Sequence, residues 1–152
     1  MSEDPSAGEK LPLARKAFDG CFGCGPANAI GLKLEFSRDG DSVVARTVLA
    51  RDYVGYREFA HGGVVATLLD EAMGWAMYHI VGRHGVTRGL NVVYRRPVTV
   101  ERGLELRGTV LEARDRDVRL QSTLSDERGR LLASAEGDWV AVRDERAAAE
   151  PS

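Results

Sequence analysis

Residues 61–81 read HGGVVATLLDEAMGWAMYHIV. From Gly62 onward such a stretch spans roughly 30 Å as an α-helix at 1.5 Å per residue. Val65, Leu68, Leu69, Ala72, Met73, Ala76, Met77 and Ile80 put apolar side chains around nearly the whole circumference. A helix apolar almost all round is buried in the middle of something rather than laid on a surface. Gly82 and Gly85 are expected to end it.

Strand patterns lie on both sides of this helix. Upstream, Leu32, Leu34 and Phe36 alternate with Lys33 and Glu35, the period of a half-buried strand. Arg38-Asp39-Gly40-Asp41 supplies turn chemistry, and Val43–Leu49 reads as the second strand of a hairpin. Arg51–Ala60 reads as a loop. Downstream, Thr87–Arg95 stops short of Pro97, which cannot donate to a ladder. Thr99–Val100 leads into Leu104–Arg114, which turns at Asp115-Arg116-Asp117 into Val118–Ser125. Asp126-Glu127-Arg128-Gly129 turns again into Arg130–Val142. Strand, strand, helix and then strands alone imply an α+β fold, an antiparallel β-sheet wrapped around one long central helix.

The 152 residues suit one domain, expected over 16–143, with flexible tails at 1–15 and 144–152. A net charge of -2 gives no basic footprint for nucleic acid. No run is long and apolar enough to span a membrane, and the polar start MSEDPSAGEK carries no secretory core, so a cytoplasmic location is the default expectation. Two cysteines provide no disulfide framework.

Asp70 and Glu71 are the acids of the helix. A carboxylate in apolar surroundings is costly unless paired, neutralised or used. Asp70 shares its face with Gly63, Ala66, Thr67, Gly74 and Met77, mostly small residues that leave room for a ligand. Glu71 neighbours the bulkier Leu68, Trp75 and Tyr78. Asp70 is therefore the candidate functional acid, although an acid taken alone more often caps a helix or pairs with an arginine. His61-Gly62-Gly63 falls where the helix begins. The first N–H groups there lack internal partners and carry the positive end of the dipole. Glycines let a ligand approach that backbone closely, where a carbonyl gaining negative charge can be polarised. A plain helix start with glycines for tight packing is the blander alternative.

In combination these residues carry a resemblance. HGGVVATLLDEAMGWA, followed by LNVVYRRPV and preceded by CFGCGPANAIGLKLEF, resembles the hot-dog-fold acyl-CoA thioesterases of the phenylacetate-pathway, 4-hydroxybenzoyl-CoA thioesterase-like type. The similarity runs from about Cys21 to Val142. It implies hydrolysis of an acyl- or aryl-CoA thioester, with Asp70 as nucleophile or general base. It also implies Gly62, alone or with Gly63, as backbone donor to the carbonyl, His61 as positioner and Thr87 placing the water. Family sites form between two subunits, which implies Asp70 and Thr87 meeting from opposite chains of a homodimer or dimer of dimers. Some relatives carry Asn or Gln six residues before the histidine, and this chain has Gly55.

Thr67 and Asn91 are added as candidate substrate contacts. Arg95 and Arg96 suit the phosphates of CoA, with a solvated strand end as an even alternative. Met73, Trp75, Met77 and Tyr78 are core or acyl-tunnel lining. Cys21 and Cys24 form a C-x-x-C, but a zinc site needs four ligands and the chain offers only His61, His79 and His84 besides. The preferred reading is a loop packing motif with Phe22 buried beside it. No metal or cofactor is called for. The alternatives to hydrolysis are an enoyl-thioester hydratase or dehydratase, whose Asn-Pro-x-His and Gly-His-Phe-Pro runs do not occur here, and a non-catalytic acyl-CoA-binding module.

Overall fold

The computed structural model of the chain describes residues 8–13 and 16–143; the tails expected at 1–15 and 144–152 otherwise lie outside the described residues. The central helix α1 runs Gly62–Ala76 and continues as one wider π-type turn, Met77–Val81. Gly82 stops it in the left-handed conformation (φ 83°), with its N–H donating to Met77 O. Gly85, expected as part of that stop, instead opens the next strand.

Six strands form one antiparallel sheet: β1 (Ser37–Asp39), β2 (Ser42–Val48), β5 (Gly85–Tyr94), β6 (Gly103–Arg114), β7 (Asp117–Asp126) and β8 (Leu131–Ala141). Their spatial order is β1-β2-β6-β7-β8-β5, so β5 is an edge strand. Two short strands, β3 (Val54–Tyr56) and β4 (Phe59–Ala60), pair within the segment expected to be a loop. The sheet wraps α1 as the sequence predicts. Leu68, Leu69, Ala72, Met73, Ala76 and Met77 are fully buried against Phe36, Leu106, Leu120 and Leu124 from the strands. Ser122 of β7 sends its hydroxyl across the core to the Leu69 carbonyl oxygen at 2.8 Å, which satisfies a polar group that burial would otherwise penalise.

The strand expected over Leu32–Phe36 does not form. Leu34 and Phe36 are buried and Lys33 and Glu35 exposed, as the alternation demands. The backbone, however, turns through a left-handed Lys33 (φ 52°) and bonds to loops: Leu32 N–H to Phe22 O, and Leu34 N–H to Gly23 O. Leu11 N–H donates to Phe36 O, and Leu11 and Leu13 pack on the core, so residues 11–13 of the expected flexible N-terminal tail are anchored there. No helix among the described residues is long and apolar enough to cross a membrane.

Candidate functional site

His61 caps α1. Its extended backbone (φ -58°, ψ 135°) is that of an N-cap, and its Nδ1 accepts from Gly63 N–H at 2.9 Å. The Gly63 donor is thereby spent on the cap, which leaves Gly62 as the exposed amide at the positive end of the helix. The phenol of Tyr94 donates to Gly62 O at 2.7 Å and fixes the peptide that follows the amide. Gly55 packs against the same turn. A Cβ there would lie 2.9 Å from His61 Cα, so any larger residue at this position, the expected amide included, would force the backbone to shift.

Two turns along the helix, Asp70 is half-buried. Thr87 of β5 donates its hydroxyl to Asp70 Oδ1 at 2.6 Å. Burial raises the Asp70 pKa above the ordinary carboxylate value, and the Thr87 hydrogen bond pulls it partway back. The acid and the threonine belong to the same chain, which corrects the expectation that they meet from opposite subunits. The cause is strand register. In an antiparallel pair, opposed residues share a face. Thr87 lies opposite the buried Trp139, and Tyr94 opposite the buried Ala133, so both face the helix. They are an odd number of residues apart, and the register shift between Thr87 and Gly89 is what brings both inward.

The same shift turns Asn91 outward. It lies opposite the exposed Glu136, away from Asp70, so the structure does not bring it to the site. Thr67 spends its hydroxyl on Gly63 O, one turn back in the helix, at 2.9 Å. Met73 and Met77 are core, whereas Trp75, also buried, and Tyr78 both line a cavity beside the cysteines. Arg95 and Arg96 are exposed and, with Gly62, Phe59 and Tyr94, border a cavity of about 300 Å³. A neighbouring cavity of about 330 Å³ shares Phe59, Arg96 and Pro97 with it and adds Arg102, Arg128 and Arg130. Tyr94, Arg102 and Arg128 escaped the sequence reading. Tyr94 stands in the LNVVYRR run and could have been singled out; the other two are ordinary turn residues until folding gathers them.

Glu71 faces the other way. Cys21 Sγ–H donates to Glu71 Oε1 at 3.4 Å, and Cys24 joins the pair. Burial raises the Glu71 pKa, while both thiols and the Trp75 ring N–H lower it in part. Burial, followed by the Glu71 charge, pushes the Cys24 thiol far above its ordinary value. Phe22, expected to be buried beside the cysteines, is 40% exposed.

Gly62 and Asp70 are eight residues apart on one helix, which separates them by about 12 Å along its axis. A reacting carbonyl must sit within about 3 Å of both its activating donor and its attacking group. The amide and the acid of a single chain therefore cannot act on one carbonyl.

The family model of the thioesterase superfamily matches residues 58–133. Among solved structures, a thioesterase superfamily protein known from its crystal structure is similar at 30% identity and a TM-score of 0.73, over 78% of this chain and 61% of that one. The chain thus spans less than two thirds of that relative's length. A hypothetical thioesterase from Streptococcus pneumoniae TIGR4, crystallised with coenzyme A, is 22% identical over 72% of this chain and 85% of its own, with a TM-score of 0.67. The Escherichia coli PaaI protein of the phenylacetic acid degradation operon is 18% identical over 76% and 84%, with a TM-score of 0.69. None of the curated protein sequences matches the chain.

Proposed function

Because this chain belongs to the thioesterase superfamily, we propose that it is an acyl-CoA thioesterase, releasing a free acid and CoA, whose site is shared between two copies of the chain. The observation that carries the reading is the half-buried Asp70 held by Thr87 at 2.6 Å, about 12 Å along the helix from the free amide of Gly62. In a homodimer, Asp70 of one protomer faces the helix start of its partner. The Gly62 N–H polarises the thioester carbonyl, and Asp70 attacks it or removes a proton from the attacking water. Thr87 aims the carboxylate, while His61 and Tyr94 hold the Gly62 turn. CoA lies along the arginine-bordered cavities, its phosphates toward Arg95 and Arg96. Support for CoA as carrier comes from the S. pneumoniae relative, whose crystal structure contains it. Gly63 and Thr67 shape the small-residue stripe beside the acid, where the acyl group runs between subunits.

The test is free-thiol release from a panel of aromatic, short-chain and medium-chain acyl-CoAs, by wild type and Asp70→Asn. The expected result is hydrolysis by wild type and a drop in kcat/KM of about 10²-fold or more in a folded Asn variant, the usual worth of a positioned base. Equal rates in the two proteins would remove Asp70 from the chemistry. Binding without hydrolysis, or water addition to an enoyl thioester, would favour the binding-module or hydratase alternatives.

A further inference from the structure

We propose that Cys21, Cys24 and Glu71 bind one divalent transition-metal ion of the zinc type, with the fourth place open to the adjoining cavity. The ligand atoms of the three residues lie within 4.8 Å of one another. In a tetrahedral site with Zn–S about 2.3 Å and Zn–O about 2.0 Å, the sulfur–oxygen edge is about 3.5 Å. The Cys21 Sγ to Glu71 Oε1 separation is 3.4 Å, so that edge needs almost no rearrangement.

The loop is built to reach the helix. Gly23, between the cysteines, is buried so tightly that a Cβ would lie 2.2 Å from Glu71 Cγ; only glycine lets both thiols approach the carboxylate. The loop backbone is pinned by Leu32 N–H to Phe22 O at 2.8 Å and Leu34 N–H to Gly23 O at 3.0 Å. Among the described residues, the side chains acting on Glu71 are Cys24, Cys21, Asp70 and Trp75, and none of them is a cation. Two thiols and a carboxylate gathered around one point form a donor set that a borderline-soft dication satisfies. A cavity of about 190 Å³, bordered by all three residues and by Tyr78, His79 and His84, leaves space for a water or another ligand in the fourth position. On binding, two S–H bonds break and their protons pass to solvent, two metal–sulfur bonds and one metal–oxygen bond form, and nothing is oxidised or reduced. The ion ties the N-terminal loop to the central helix beside Asp70.

The test uses the full chain, stripped with a chelator, kept under a non-thiol reductant without oxygen, and titrated with Co²⁺. Wild type is expected to develop thiolate-to-cobalt absorption in the near ultraviolet and tetrahedral visible bands, saturating at one ion per chain and displaced by Zn²⁺. Cys21→Ser/Cys24→Ser should lose the thiolate band, and Glu71→Gln should bind roughly tenfold or more weakly. Circular dichroism establishes that the variants fold. Absence of the thiolate band in wild type overturns the proposal, and so does a Glu71→Gln variant that binds Co²⁺ as tightly as wild type. Neither readout depends on hydrolysis, so the metal site and the thioesterase reading stand or fall separately.

Discussion

Thr87 holds Asp70 from a different element of the fold, and its hydrogen bond favours the ionised carboxyl that burial opposes. Thr87→Val keeps the shape and removes that bond. Its expected effect is a fall in kcat of roughly tenfold, the worth of a hydrogen bond to a charged group, with little change in KM. Steady-state kinetics on the best substrate of the panel measures it. Gly62 permits an equally clean test. It is the first residue of α1, where proline is tolerated because the amide has no helical partner. The extended backbone of His61 suits a following proline. Gly62→Pro is therefore expected to fold, as judged by circular dichroism, and to lose hydrolysis with the N–H. The helix that carries Gly62 and Asp70 was legible because its apolar residues recur on one periodic element. The position of Asn91 was not, because the register shift near Arg88 depends on how β5 meets β8. The meeting of Glu71 with cysteines 47 and 50 residues away was also closed to local reading.

At the scale of elements, the helix sits close enough to the sheet to dictate single residues. A Cβ on Gly108 of β6 would lie 2.2 Å from the Ala72 carbonyl oxygen. Gly108→Ala is expected to cost about 1–3 kcal/mol of stability, as overpacking generally does, read from urea unfolding. The turn between β7 and β8 rests on Asp126, whose carboxylate accepts from the Arg128 and Arg130 amides and from Arg130 Nε. These partners lower its pKa below the ordinary 3.8. A depressed carboxyl contributes stability that is present above the unfolded value and lost as pH falls through the folded one. Asp126→Asn should thus melt below wild type at neutral pH, with the gap closing in acid beyond 3.8. The helix and the strands after it were readable from periodicity and turn residues. The segment 32–36 was misread because alternation reports which side chains are buried, not what the backbone pairs with. There the partners are loop carbonyls at Phe22 and Gly23.

At the scale of the molecule, β5 leaves a ten-residue edge with Val86, Leu90, Val93 and Tyr94 exposed. A long apolar edge of this kind is a template for pairing. It carries Thr87, the partner of Asp70, and in the proposed shared site a second chain would bring its Gly62 amide here. Light scattering is expected to give at least twice the 16.6 kDa chain mass. The most direct test of the shared site is mixing. Asp70→Asn and Gly62→Pro chains are each expected to have little activity alone. Unfolded together and refolded, they form mixed dimers with one site that combines an intact Asp70 and an intact Gly62. Random pairing then restores about a quarter of wild-type sites, since half the dimers are mixed and each carries one good site of two. Recovery near that level is the expected result. Refolded mixed dimers with no activity above the single variants would contradict a site built from two chains.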